Sequence, residues 1–197
     1  MNKRMMTKHY NESLSDDEVK KLPLLHFDGK VTLVDDLDTF YRVIDEVGRS
    51  GIVGFDTETK PSFRKGRRNT VSLLQLADAG NAWLFRLNRI GLPPELAALL
   101  ADDSLHKVGV AIHDDIKALR SVSPFEPRGF VDLQSVVAGH GIKQLGLRKL
   151  SAIILGYRIS KSQQVSNWEA PVLTESQQLY AATDAWVCRQ IYLALNG

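Results

Sequence analysis

Apolar positions repeat with two periods along this chain, and the change of period divides it. Runs that are apolar and rich in β-branched residues read as strands; these fall at 31–34, 51–59, 71–76, 82–85 and 107–112. The runs at 71–76 and 82–85 are close enough to form an antiparallel meander. Phe40, Tyr41, Val43, Ile44 and Val47 fall at helical spacing, with Asp38 as the expected cap and Gly48 as the stop. Helices are also expected at 95–101, behind the 107–112 strand from Asp114 and Asp115, from Asp132 to Gly139, and over 147–155 up to Gly156. Thr174 with Gln177 fits a capping box for a last helix reaching about residue 195. Strands first and helices later, with no repeat or linker between, predict an α/β domain: a mixed central sheet flanked by helices around one core. That domain is expected over 29–197. Residues 1–28 read as a loosely held leader, in which Ser15 and Glu18 fit a capping box for a short helix ending near Lys21.

Composition narrows this picture. The chain has 197 residues, 44% of them hydrophobic, which fits one domain with a sizeable core. No run approaches the ~18 apolar residues of a membrane span, and the basic stretch 1–8 lacks the apolar segment of a signal peptide. An intracellular location is therefore expected, cytoplasmic if the source is bacterial. The single cysteine, Cys188, cannot form an internal disulfide and reads as a core helix residue.

The formal charge of +2 says little until it is divided. Residues 1–46 hold seven Lys/Arg against ten Asp/Glu, a net −3, which leaves +5 for the rest. Two runs have no acid at all. One, 59–77, carries Lys60, Arg64, Lys65, Arg67 and Arg68 in a polar loop; the other, 133–168, carries Lys143, Arg148, Lys149, Arg158 and Lys161. Such patches suit a polyanion, and fit a solvated positive surface equally well.

The chemistry gathers on five residues. Asp56 and Glu58 stand two apart at the end of the 51–59 strand, so both carboxylates leave one face. Tyr180 and Asp184 stand four apart on a helix and share a face. Asp115 opens a helix, where the dipole favours its charged form. Two divalent metals held ~3.5–4 Å apart by such acids can activate a water and stabilise the leaving oxygen of a phosphodiester. Without metal the acids would repel one another, so at least one pKa should rise. Tyr180 would hold the water by positioning it.

Taken singly, each part has a plainer reading. A D-x-E at a strand end is more often solvated than catalytic. Tyr-x₃-Asp is more often packing plus a surface acid, and His113-Asp114-Asp115 fits simple helix capping. Trp168 is more often a core or loop-anchoring residue than a base-stacking one. It is kept as a nucleic-acid-binding candidate beside Thr57, Arg64, Lys65, Arg67 and Arg68. His106, His113 and His140 lack metal-ligand spacing.

Taken in order, the motifs resemble those of the tyrosine-type DEDD 3′–5′ exonucleases, which have the ribonuclease H-like fold. Phe55-Asp56-Thr57-Glu58-Thr59 is similar to the first motif. Val108 to Asp115 is similar to the second, and Tyr180-Ala181-Ala182-Thr183-Asp184 to the third. Leu179 stands where a histidine-type member needs His. Ser166-Asn167-Trp168 and the approach to Tyr180 resemble the branch containing the Werner syndrome exonuclease domain and its stand-alone relatives. The resemblance implies two Mg²⁺ or Mn²⁺ ions and removal of nucleotides from a 3′ end. It implies that Asp56 bridges both ions, that Glu58 and Asp184 serve the water-activating one, and that Asp115 serves the other through water. It favours DNA over RNA, and a stand-alone member could work with a separate helicase. Lys117 departs from that branch, where an aromatic is expected. The same chemistry on RNA, or a non-catalytic nucleic-acid-binding module, are the competing readings.

Overall fold

A computed structural model of the protein describes residues 9–59 and 70–197. Six strands form one mixed sheet: β1 (Lys30–Val34), β2 (Ile52–Thr59), β3 (Val71–Ala77), β4 (Asn81–Phe85), β5 (His106–Gly109) and β6 (Phe130–Asp132). Their spatial order is β1-β4-β3-β2-β5-β6. The central pairs β2–β3 and β3–β4 are antiparallel, and β1–β4, β2–β5 and β5–β6 are parallel. Every position of β3 is buried, as expected of a strand covered on both faces.

Each face has its own helices. On one, α2 (Leu37–Gly48) buries Phe40, Val43, Ile44 and Val47 beside α4 (Pro94–Leu100) and α5 (His113–Val122). On the other, α8 (Glu175–Asn196) crosses the sheet and buries Ala181, Ala182 and Ala185 against β3 and β4 residues. The alanines leave the helix backbone free to approach the strands closely. Beyond them Val187, Cys188 and Ile191 pack with α6 (Leu133–Ala138) and α7 (Leu147–Leu150). No helix among the described residues is long and apolar enough to cross a membrane.

Several local expectations change. α2 is capped two residues early, by Asp36, whose carboxylate accepts from the Thr39 amide at 2.7 Å. β5 ends at Gly109 because the chain turns at Ala111, a non-glycine residue at φ 57. That left-handed conformation costs roughly 1–2 kcal/mol for a residue with a Cβ. The turn is held where the Ala111 amide donates to Asp132 Oδ1 at 3.1 Å, the same oxygen that caps α6. The helix expected over 147–155 is α7 followed by a π-helical turn, Ser151–Leu155. α3 (Leu87–Ile90) and β6 were not expected. The basic loop 61–69, with Arg64, Lys65, Arg67 and Arg68, lies outside the described residues.

Where a loosely held leader was expected, residues 9–28 are tied to the domain. The capping box at Ser15 and Glu18 opens α1 (Asp16–Lys21), which ends where the sequence predicts. Val19 and Phe27 are buried, Leu24 bridges Arg158, and the Phe27 amide donates to Thr183 Oγ1 at 3.1 Å. Tertiary burial of two apolar side chains outweighs a polar local composition.

Candidate active site

The site forms where β2, α5 and α8 converge. Side chains alternate along β2. Phe55 packs into the core on the α5 side. A Cβ built on Gly54 would point at the backbone of Ala185 in α8. Asp56 and Glu58 share the parity of Gly54 and so face α8, while Thr57 faces α5. The glycine lets α8 come within backbone distance of β2, and Arg189 Nε fixes that approach by donating to the Ile52 carbonyl at 3.0 Å.

The result is a cluster in which Asp56, Glu58 and Asp184 each offer a carboxylate oxygen, all within 4.8 Å of one another. Asp115 joins from the opposite side of β2, where its carboxylate accepts the Thr57 hydroxyl. Thr57, expected near nucleic acid, thus links the two halves of the acid set, and it also lines the cavity. Tyr180 stands one turn before Asp184 on the same face of α8, and both line the cavity. Cys188 continues that face below the acids and is buried.

Burial and mutual repulsion raise these groups together. Burial drives Asp56 well above the usual carboxylate range, reinforced by the charges of Asp184, Glu58 and Asp115. Burial, then Asp184 and Asp115, push Glu58 up to about 8. Burial carries Asp184 to about 7, against the pull of the Tyr180 hydroxyl. Asp115 also rises. A helix amino terminus was expected to favour its charge, but burial outweighs that, with the Thr57 hydrogen bond opposing. Tyr180 is raised by burial and then by the neighbouring acids, so its hydroxyl keeps its proton. A polar cluster this costly to ionise, built only of hard oxygen donors, fits one or more divalent cations of the Mg²⁺ or Mn²⁺ kind.

That electrostatic strain can be measured. In the unfolded chain these acids ionise near pH 4, whereas in the folded protein Glu58 and Asp184 hold protons to about 8 and 7. Between these limits the native state binds more protons, so stability falls as pH rises. Thermal unfolding in EDTA should therefore drop steadily from about pH 5 to 8. Towards the top of that range Lys107, which burial lowers to about 8, also titrates and acts oppositely. Mn²⁺ at pH 8 should restore the lost stability. A melting temperature in EDTA that does not change over this range would contradict the cluster's electrostatics.

A cavity of about 550 Å³ opens over the acids. Its walls include Arg148, Lys149 and Lys161 from the acid-free run 133–168, as well as Asp16 from the leader. A smaller cavity, about 210 Å³, lies on the other side of Tyr180 and Asp184 and is bordered by Leu24, Leu25 and His26. Nothing in the sequence places Arg148, Lys149 and Lys161 at the site. Their signal was the missing acids around them, which marked a surface but not its position.

Trp168 does not present a face for a base, because it has no exposed surface. Its ring centroid lies 6.1 Å from that of Tyr180, and its indole N–H is directed towards Glu58, restraining that acid's rise without closing a hydrogen bond. The segment that carries it is held by the buried Arg86, which donates to the carbonyls of Ala170 and Pro171. Gln75, opposite Asp56 across β2 and β3, is fully buried with neither amide atom paired among the described residues. Neither Arg86 nor Gln75 carried a sequence signal beyond a polar residue in an apolar strand context.

Comparison with known proteins agrees with this geometry. The chain is 30% identical over 187 residues to the bifunctional 3′–5′ exonuclease/ATP-dependent helicase WRN of Mus musculus, which covers 89% of this chain and 13% of that protein. It is 40% identical over 150 residues to exonuclease 3′–5′ domain-containing protein 2 of Drosophila melanogaster, covering 73% of this chain and 25% of that one. The chain therefore spans a quarter or less of these relatives. Among solved structures, the Nibbler EXO domain of Aedes aegypti superposes with a TM-score of 0.79 at 27% identity, over 87% of this chain and 91% of that one. A sequence model of the 3′–5′ exonuclease family matches residues 31–197. With the acid cluster placed where β2 meets α8, the chain belongs to the 3′–5′ exonuclease family.

Proposed function

We propose that the protein removes nucleotides one at a time from the 3′ end of a DNA strand, by metal-dependent hydrolysis of the terminal phosphodiester. The observation that carries this reading is the oxygen cluster of Asp56, Glu58 and Asp184 at the floor of a basic-walled cavity. Asp56, Glu58 and Asp184 would hold the metal, and Asp115, whose carboxylate accepts the Thr57 hydroxyl, would serve a second ion through water. Two bound divalent ions would supply a nucleophilic water at neutral pH and stabilise the leaving oxygen.

The chain's own groups do the rest. The Tyr180 hydroxyl, kept protonated by its surroundings, is placed beside Asp184 to orient the attacking water through a hydrogen bond. Trp168, fully buried, packs against the Tyr180 ring and so restrains the phenol beside the acids. Arg148, Lys149 and Lys161 offer positive charge where the sugar–phosphate backbone would lie. That charge reads phosphate, so binding should weaken steeply with salt.

The test uses two matched duplexes with a recessed 3′ end, one recessed strand DNA and the other RNA, each labelled at its 5′ end. With Mg²⁺ or Mn²⁺ the DNA strand should shorten as a ladder, and Asp56→Ala should abolish it. A ladder on RNA alone would keep the chemistry and move the substrate. Binding without a ladder in either metal would leave a nucleic-acid-binding module in place of an enzyme.

A further inference from the structure

The leader reaches the basic wall of the cavity at Asp16 and runs beside it. Its segment from Glu12 to Asp16 is anchored on one side by the Tyr10 hydroxyl, which donates to the Ala194 carbonyl, and on the other by buried Val19. Between these anchors Glu12 pairs with Lys143 at 2.5 Å and Asp16 with Lys149 at 2.9 Å. Lys149 Nζ also donates to the Leu14 carbonyl at 2.6 Å, and the Leu14 amide donates to Gln144 Oε1 at 2.9 Å. Asp16 lines the same cavity as Asp56, Glu58 and Asp184.

This arrangement is odd for a cavity that takes a polyanion. Lys149 lines the cavity, and its charge is already answered by an acid. Lys149, Lys161 and Arg148 together hold the Asp16 carboxyl below its usual range. Arg148, on the same wall, has a buried Nε with no hydrogen-bond partner among the described residues. The wall therefore presents one cation engaged by the leader beside a second, Arg148, that also lines the cavity. The sequence shows the same complementarity: 1–46 is net negative, and 133–168 contains no acid.

We propose that Glu12 and Asp16 occupy phosphate positions on the Lys143–Lys149 surface, so that a nucleic-acid backbone must displace these carboxylates before it reaches the metal cluster. The proposal rests on the exonuclease reading for the identity of the ligand. Displacement is local. Val19 and Phe27 keep the leader docked while two exposed side chains swing away. Ion pairs whose carboxylates lie exposed, as both do here, are weak enough to yield to a strand that offers several phosphates at once. The leader thus raises the threshold for binding. Strands long enough to engage Arg148 and Lys161 together with Lys149 compete best.

The experiment measures binding of a 5′-labelled single strand by fluorescence anisotropy in EDTA, where no hydrolysis occurs, alongside the ladder assay in Mn²⁺. Glu12→Gln with Asp16→Asn removes both charges and keeps side-chain shape and the buried anchors. Affinity should rise roughly three- to tenfold at low salt, the scale of two exposed ion pairs. The gain should shrink as salt is raised to about 0.3 M, and kcat should stay unchanged. In a Lys149→Ala background most of the gain should disappear, because the cation released by the leader is then missing. Unchanged or weaker binding by the double variant overturns the proposal, as does absence of binding by both proteins. A normal ladder with unchanged affinity would remove the leader's role and leave the exonuclease standing. Tighter binding with no ladder from any form would do the reverse.

Discussion

Asp184→Asn should cost on the order of 10³-fold or more in kcat, the scale seen when one member of a cooperating catalytic unit is lost, while making the metal-free protein more stable. Both effects come from one carboxylate. Asp184 is 8% exposed and lies within 4.8 Å of donor oxygens on Asp56 and Glu58. Its charge raises Asp56, Glu58 and Tyr180. Asparagine keeps the shape and removes the repulsion, so unfolding in EDTA at pH 8 should occur at a higher temperature than in the wild type. In Mn²⁺ the order should reverse, because the variant has lost a ligand. Measuring single-turnover cleavage and melting with and without metal separates a lost site from a lost fold. Activity within tenfold of the wild type would remove Asp184 from the mechanism. A lower melting temperature in EDTA would remove the repulsion argument.

Gly54→Ala should damage the protein through geometry alone. The added Cβ would lie 1.7 Å from the Ala185 carbonyl oxygen and 2.6 Å from its carbon, both backbone atoms in the middle of α8. No rotamer change can relieve a contact between backbones, so the helix must lift from β2. Overpacking of this kind costs about 1–3 kcal/mol, occasionally more. The lift would also carry Asp184, the residue before Ala185, away from Asp56. Displacements near 1 Å in a catalytic arrangement cost about 10²-fold in rate. Urea unfolding and cleavage rates should therefore fall together, unlike the opposed changes in Asp184→Asn. A Gly54→Ala protein with ordinary stability and rate would mean that α8 does not set the site.

These two substitutions also mark how far the sequence could be read. Local chemistry was legible where it repeats at short range. The strand alternation at Asp56 and Glu58, the helical spacing of Tyr180 and Asp184, and the capping boxes at Ser15 and Thr174 all depend on neighbours within a few residues. They predicted the α/β class, the meander of β3 and β4, and the acids that could share a centre. Asp36 rather than Asp38 as cap, and the early end of β5, were misread because competing local signals differ by little and a distant partner decides. For β5 that partner is Asp132, which holds the Ala111 turn from another strand end.

Which residue types carry the chemistry can be read from the chain alone, since carboxylate spacing on a strand or helix is fixed by backbone periodicity. Tertiary structure alone decided which cations face the acids. Arg148, Lys149 and Lys161 belong to a run far from both motifs; the packing of α7 beside α8 brings the first two to the cavity, and the irregular segment after Ile159 brings Lys161. It also decided that Trp168 is a buried support and not a base platform, because burial depends on what α8 and β3 place around it. And it decided where the leader lies, with Asp16 at the edge of the cavity. Nothing in residues 12–18 encodes Lys143 or Lys149 as partners. Long-range charge pairing emerges only once the fold has set the two segments side by side.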